Sequence, residues 1–349
     1  MKRCTWIILA GMFACLLSAG ITAAQVGPDG NLAYTLSNFQ AGNRTANSPE
    51  TLVIRNRLDS GCTWTASAEA LFMSRSGGKI STLIESTGGT ELLNSNGFDF
   101  PWAAGPRVGI VGEDVLCGCD LEASFFSIDG WSASKDVVVP ADGANFMLFN
   151  QTPAATSLGM VLGDVVNYHY ISRLRSAEIN LRHPMWERLS LLMGFRYVEL
   201  HEELDSSVIS LTDPSSLPLL NDNVDNHLYG GQIGLNVAFI NTCRFSIEGV
   251  VKAGVFCNYS DLTMSVIDLT RQNVKTTHTA ALGEIGLMGI FQVTNNLSAR
   301  LGYQAMWIDG IAIAGDQVEN FNPLATNPKP YMGGTLFYHG ASAGLEYAF

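Results

Sequence analysis

Residues 333–349 read GGTLFYHGASAGLEYAF. Residues two apart in a strand share a face. Counted from Phe337, one face carries Phe337, His339, Ala341, Ala343, Leu345, Tyr347 and Phe349. The other carries Tyr338, Gly340, Ser342, Gly344 and Glu346. One side is apolar, the other small or polar, and the segment stops on an aromatic residue. An amphipathic strand at the edge of a soluble β-protein gives the same pattern, so the rest of the chain has to decide.

Upstream, the alternation recurs. Trp64, Ala66, Ala68, Ala70 and Phe72 oppose Thr65, Ser67 and Glu69; Pro106, Val108 and Ile110 oppose Arg107, Gly109 and Glu113. Leu121, Ala123 and Phe125 oppose Asp120, Glu122 and Ser124; Ala177, Ile179 and Leu181 oppose Glu178, Asn180 and Arg182. Further strands are expected over 189–197, 227–240, 243–259, 277–293 and 297–309, each with apolar residues at every second position. These segments exceed the 5–6 residues of a common globular strand and match the 9–11 or so of a tilted membrane crossing.

The connections sort by length. Short ones fall near 114–116, 183–187, 241–242 and 294–296, and long ones near 76–103, 132–171, 202–225, 260–275 and 310–332. Outer-membrane barrels have short periplasmic turns and long external loops. The expectation is an all-β, antiparallel up-and-down transmembrane β-barrel of about ten strands over 62–349, closing 333–349 against Trp64–Phe72. Twelve strands is the alternative, if 76–103 or 132–171 hides a hairpin.

Ahead of the barrel, residues 1–24 read as a cleaved signal peptide: Lys2 and Arg3, an apolar run from Trp6 to Leu17, then small residues through Ala24. Residues 25–61 read as a periplasmic lead-in. Without Lys2 and Arg3 the chain has 18 basic against 32 acidic residues, which argues against nucleic-acid binding. Cys62, Cys117, Cys119, Cys243 and Cys257 remain after cleavage, an odd number, and Cys117-Gly-Cys119 has the wrong spacing for zinc or thioredoxin-type chemistry.

If the apolar face meets lipid, the other face lines the interior. Pore-lining candidates are Glu69, Arg107, Glu122, Glu178, Arg182, Arg196, Glu248, Lys252, Glu284, Arg300 and Glu346, with Asp120 beside them. Acidic and basic groups nearly balance, which suits ion pairs across a narrow lumen; the same groups could set ion preference in a channel. A ten-strand barrel is nearer the filled eight-strand case than the open 16–18-strand channels. Trp64, Trp131, Trp186, Trp307, Tyr197, Tyr229, Tyr259, Tyr347 and Phe349 are candidates for aromatic girdles.

Glu202, Glu203, Asp205, Asp222, Asp225 and His227 could form a hydrolase site at the external rim, and Asn221–Asn226 is loosely like a calcium loop without its Gly and closing Glu. No nucleophile elbow, phosphate loop or zinc pattern is present, so the expectation is no enzyme, no cofactor and no metal.

The C-terminal strand resembles the closing strand of bacterial outer-membrane barrels, where Leu345, Tyr347 and Phe349 would serve as the signal for the barrel-insertion machinery. Beyond that, Trp64-Thr-Ala-Ser-Ala-Glu-Ala-Leu-Phe72, Ala104-Gly-Pro-Arg-Val-Gly-Ile110, Leu121-Glu-Ala-Ser-Phe-Phe126, Ser176-Ala-Glu-Ile-Asn-Leu181 and Leu189–Tyr197 with Glu199–Glu202 are similar to the planctomycete-type predicted outer-membrane β-barrel porins. The resemblance covers most of 62–349. It implies a barrel in the bacterial outer membrane, in contact with outer-membrane lipid and porin-like. The barrel would be a narrow passive diffusion channel or a largely occluded structural barrel; a surface adhesion barrel with functional external loops is the alternative.

Overall fold

A computed structural model describes residues 63–116, 118–146, 162–210, 216–266, 271–322 and 327–349. The expected signal peptide and lead-in lie outside the described residues. Among the described residues thirteen strands, a 3₁₀ turn (Ser95–Gly97) and one short α-helix form in chain order. They are β1 (Trp64–Gly77), β2 (Thr82–Ser86), β3 (Glu91–Asn94), β4 (Ala103–Leu116), β5 (Cys119–Val138), β6 (Ala144–Phe146) and β7 (Val165–Trp186). Then follow β8 (Leu189–Ile209), β9 (Ser216–Asn241), β10 (Phe245–Val266), β11 (Gln272–Gln292), β12 (Leu297–Ile311), α1 (Ala314–Asn320) and β13 (Gly334–Ala348).

Ten of the strands close into an antiparallel barrel in the order β1-β13-β12-β11-β10-β9-β8-β7-β5-β4. The closing seam pairs β1 with β13 from Thr65↔Ala348 to Gly77↔Leu336, and Phe349 N–H donates to the Trp64 carbonyl at 2.9 Å. Closure leaves no free strand edge in the membrane, where an unpaired backbone group has no water to bond. The other three strands form a small sheet, β3-β2-β6. A hairpin is therefore hidden in the 76–103 connection, but it stays out of the barrel, and the count is ten rather than twelve.

Outward-facing side chains are apolar and exposed around the barrel, among them Phe72, Ile110, Phe125, Ile179, Phe195, Ile233, Val251, Ile285, Leu301 and Leu345. Trp186, Tyr347 and Phe349 stand exposed near the lower rim. On the opposite rim Tyr197, Tyr229 and Tyr259 form a row across β8, β9 and β10, with ring centroids 4.8 and 5.9 Å apart, and Trp307 packs on Phe337 at 4.9 Å. Amphipathic rings gather at this depth because one end favours hydrocarbon and the other water. The tyrosine row marks the outer boundary of the lipid-facing band.

Several expectations need correction. Most of 202–225 and 260–275 is strand where the structure describes it: β8 and β9 stay paired to Ile209↔Ser216, and β10 and β11 to Met264↔Gln272. Their polar composition reflects strands that stand in water on one face while Leu204, Val208, Val224 and Leu262 stay buried on the other. The rule of long external connections therefore fails for these two hairpins. Of the short connection expected near 183–187, residues 183–186 belong to β7, and the reversal falls at 187–188. Trp131, a girdle candidate, is fully buried inside: the β5–β7 register shifts between Ile128 and Trp131, which moves its side chain to the inner face, and its indole N–H donates to the Met73 carbonyl at 3.2 Å.

Strand length divides the barrel. β1, β4, β12 and β13 have 14 or 15 residues, whereas β5 and β7 to β11 have 20 to 26. The longer strands rise past the tyrosine row as a curved wall. Segment 78–102 with the small sheet, and segment 312–322 with α1, fill its concave side and build a second apolar core there, including Leu83, Phe146, Tyr168, Val224, Leu262 and Val318.

Candidate functional site

The barrel interior is stacked in layers. Toward the turns that join β4 to β5 and β7 to β8 lies an ionic layer. Lys252 of β10 reaches Glu178 of β7 at 2.6 Å, and Arg196 of β8 reaches Glu284 of β11 at 2.6 Å. Cross-contacts of 3.8 Å, Arg196–Glu178 and Lys252–Glu284, join the two pairs into one network spanning the lumen. Arg300 bonds Glu69 at 2.8 Å and also Glu346; Arg107 lies 3.6 Å from Glu69 and bonds Gln304. Arg182 sits between Asp120 and Glu122, 3.7 and 3.6 Å away. Gln232 donates to Glu178 and to Asn180, each at 2.7 Å. Ten of the eleven candidates read from the sequence are joined in these contacts. Glu248 makes no ion pair among the described residues but lines the same cavity, whose volume is about 180 Å³.

Above this cavity the interior turns apolar. Leu71 and Met73 of β1, Ala103 of β4, Phe126, Ile128 and Trp131 of β5, Leu174 of β7, Val198 and Leu200 of β8, and Leu228 of β9 form one cluster. Phe256 of β10, Ala280 and Leu282 of β11, Met306, Ile308 and Ile311 of β12, Ile313 just ahead of α1, and Leu336 and Tyr338 of β13 complete it. Every barrel strand contributes, and none of these side chains is more than 5% exposed. This slab was missed in the sequence reading, which assigned the second face to polar contacts throughout. Its signal is a stretch where both alternations are apolar, as in Ala70-Leu-Phe-Met73 and Phe125-Phe126.

Past the slab comes a second polar layer. Glu202 takes hydrogen bonds from Tyr170 (2.6 Å) and Ser172 (3.0 Å) and pairs with Arg75, whose guanidinium lies 4.5 Å from the Phe100 ring centre. Asn226 clamps residue Ala312 at both ends: its amide donates to the carbonyl at 2.7 Å and its oxygen accepts the N–H at 2.9 Å. Gln317 holds Tyr331 the same way, both bonds 2.8 Å. Asp316, at the start of α1, accepts the Lys79 N–H at 3.0 Å, and burial lifts its carboxyl to about 7.

The six residues considered for a rim hydrolase do not converge. Glu202 and Asp222 point inward and are fully buried. Asp205, Asp225 and His227 occupy the opposite face of their strands, where Asp225 pairs with His201 at 2.7 Å and His227 meets the Tyr197 hydroxyl at 2.9 Å. Asn221–Asn226 is regular β9, whose alternate residues face opposite ways, so it is no calcium loop. Among the described residues no three His, Cys, Asp or Glu side chains gather to hold a metal.

Comparison with known proteins agrees with this architecture. The model of the family described as Putative beta barrel porin-7 (BBP7) matches residues 136–349. The chain belongs to this family. The match starts within β5 and runs through β13, so it takes in most of the barrel wall and the α1 segment. No curated protein matches. Among solved structures the barrel is similar to the outer membrane protease OmpT from Escherichia coli, at 13% identity and a TM-score of 0.51, covering 84% of this chain and 99% of that one. It is also similar to the translocator domain of the autotransporter NalP from Neisseria meningitidis (10% identity, TM-score 0.40, 84% and 90% covered). A further match is the toluene transporter TbuX of Ralstonia pickettii (10% identity, TM-score 0.32, 83% and 90% covered). At 13% identity the likeness to OmpT speaks for the fold alone, and nothing rests on the other two.

Proposed function

We propose that this member of the porin-7 family is a largely occluded structural barrel of the bacterial outer membrane, not a diffusion channel and not an enzyme. One observation carries the reading: buried apolar side chains from all ten barrel strands meet in a slab across the lumen. Ions cross a pore only where water or polar groups replace their hydration shell, and buried Leu, Met and Phe side chains offer neither. The paired charges below the slab support the same view. Glu178, Lys252, Arg196 and Glu284 neutralise one another instead of presenting one sign of charge.

The pore-lining candidates are thus better described as struts. They hold opposite walls together in a space too narrow to hydrate them fully. Outer-membrane lipid contacts the exposed apolar band, and the strand ending Leu345, Tyr347, Phe349 engages the barrel-insertion machinery. What the cell gains is a rigid base for the external lobe. The test is the conductance of the purified protein in a planar bilayer. Silence across preparations is expected, and discrete ion steps would return the narrow diffusion channel to first place.

A further inference from the structure

Two carboxyl groups of the external lobe, Asp222 and Asp316, are completely buried and make no ion pair among the described residues. Asp222 projects inward from β9, opposite Leu204 of β8 and Met264 of β10, with Leu220 and Val224 along its own strand; all are buried. Neither of its oxygens has a hydrogen-bond donor among the described residues. Glu202, the charge that acts on it, has the same sign. An anion there would stand bare in an apolar core, so the neutral acid is the form that burial favours.

Asp316 is the second. It lies fully buried in the first turn of α1, which packs on β8, β9 and β2. The Lys79 N–H at 3.0 and 3.3 Å favours its anion, but burial outweighs that bond and Glu202 adds to the rise, leaving the carboxyl at about 7. The other charged and titratable groups around the helix are Arg75 of β1, Lys79, Tyr170 of β7, Glu202 of β8, Tyr331, Tyr338 of β13 and Glu319 of the helix itself. Arg75 is committed to Glu202, and the Tyr170 hydroxyl donates to Glu202 while accepting the Gly315 N–H at 3.4 Å. Arg75 and the Lys79 ammonium still favour the Asp316 anion, but by less than burial disfavours it.

We propose that α1 is a proton-dependent latch: it seats in the external lobe with Asp222 and Asp316 neutral, and their ionisation loosens it from β8 and β9. The latch concerns α1 and its seat on β8 and β9, whereas the slab is built almost wholly from the barrel strands, so its test by hydrogen exchange is separate from whether the lumen conducts. For a carboxyl raised in the seated state, the favourable contribution is complete below the free value near 4 and is lost as pH climbs to the seated value. Asp316 alone therefore weakens seating by up to about tenfold per pH unit between roughly pH 4 and 7.

The test is hydrogen–deuterium exchange of the mature full-length protein in detergent micelles, followed in peptides spanning Ala312–Asn320 and corrected for the pH dependence of intrinsic exchange. In the wild type, protection should fall several-fold or more from pH 5 to pH 8, while peptides of the lipid-facing band hold steady. In Asp316→Asn, which keeps the neutral shape, most of the fall below pH 7 should vanish, and adding Asp222→Asn should reduce what remains. If Asp222→Asn does not fold, Asp316→Asn alone decides. Constant wild-type protection over this range, or a fall undiminished in Asp316→Asn, would overturn the latch.

Discussion

Arg196 shows how the interior is held. Its guanidinium is 1% exposed and meets Glu284, Glu178 and the Ser176 hydroxyl (2.9 Å) at once. Removing one member of a buried ion pair leaves the other uncompensated, which costs about 3–5 kcal/mol. Arg196→Ala should lower the unfolding free energy measured in urea by that order, whereas Asp120→Asn, beside the part-exposed Arg182 at 3.7 Å, should lower it less. Asn226 makes a second residue-scale case. Its two bonds to Ala312 sit in a buried layer, and Asn226→Ala strands both backbone groups at about 1–3 kcal/mol apiece. Proteolysis of the 312–322 segment should speed up in that variant while the barrel stays folded on a heat-modifiability gel.

At the scale of the element, β13 is the strand on which closure depends. It pairs with β1 on one side and β12 on the other, and Phe349 bonds Trp64 at the seam. Deleting Tyr347–Phe349 removes the final pairs with Ala66 and Leu297 and the exposed aromatic end. Heat-modifiable protein in the outer-membrane fraction should then fall several-fold; undiminished assembly would dismiss the terminal aromatics as an insertion signal. This strand was legible from residues alone, because Leu345, Tyr347 and Phe349 face lipid and Glu346 meets Arg300 inside, as period two requires. The upper parts of β8 and β9 were not. Outside the membrane a strand has a polar outer face, so Glu203, Asp205 and Asp225 looked like loop composition although Leu204 and Val224 kept the alternation. Trp131 was lost to a bulge, which shifts a side chain by one face and leaves no trace in spacing. The plug around α1 is a tertiary event: its short helix makes sense only against Asn226, Glu202 and Lys79, brought close by closure.

For the whole molecule, the account joins a filled barrel to a walled external lobe. The charged candidates were readable because an Arg or Glu at an inward position of an amphipathic strand has few other places to go. The slab was not, since an apolar residue on the second face is equally compatible with a loop boundary until the ten strands are stacked in register. That slab makes the function testable by design. A variant carrying Leu71→Ser, Leu200→Ser and Phe256→Ser opens polar surface at three points of the cluster and, if it folds, should pass ions that the native barrel blocks. The decisive measurement is single-channel recording of the unmodified protein in a planar bilayer, with insertion verified independently. The occluded barrel predicts a flat baseline across voltages and salt concentrations; reproducible discrete conductance steps would contradict it.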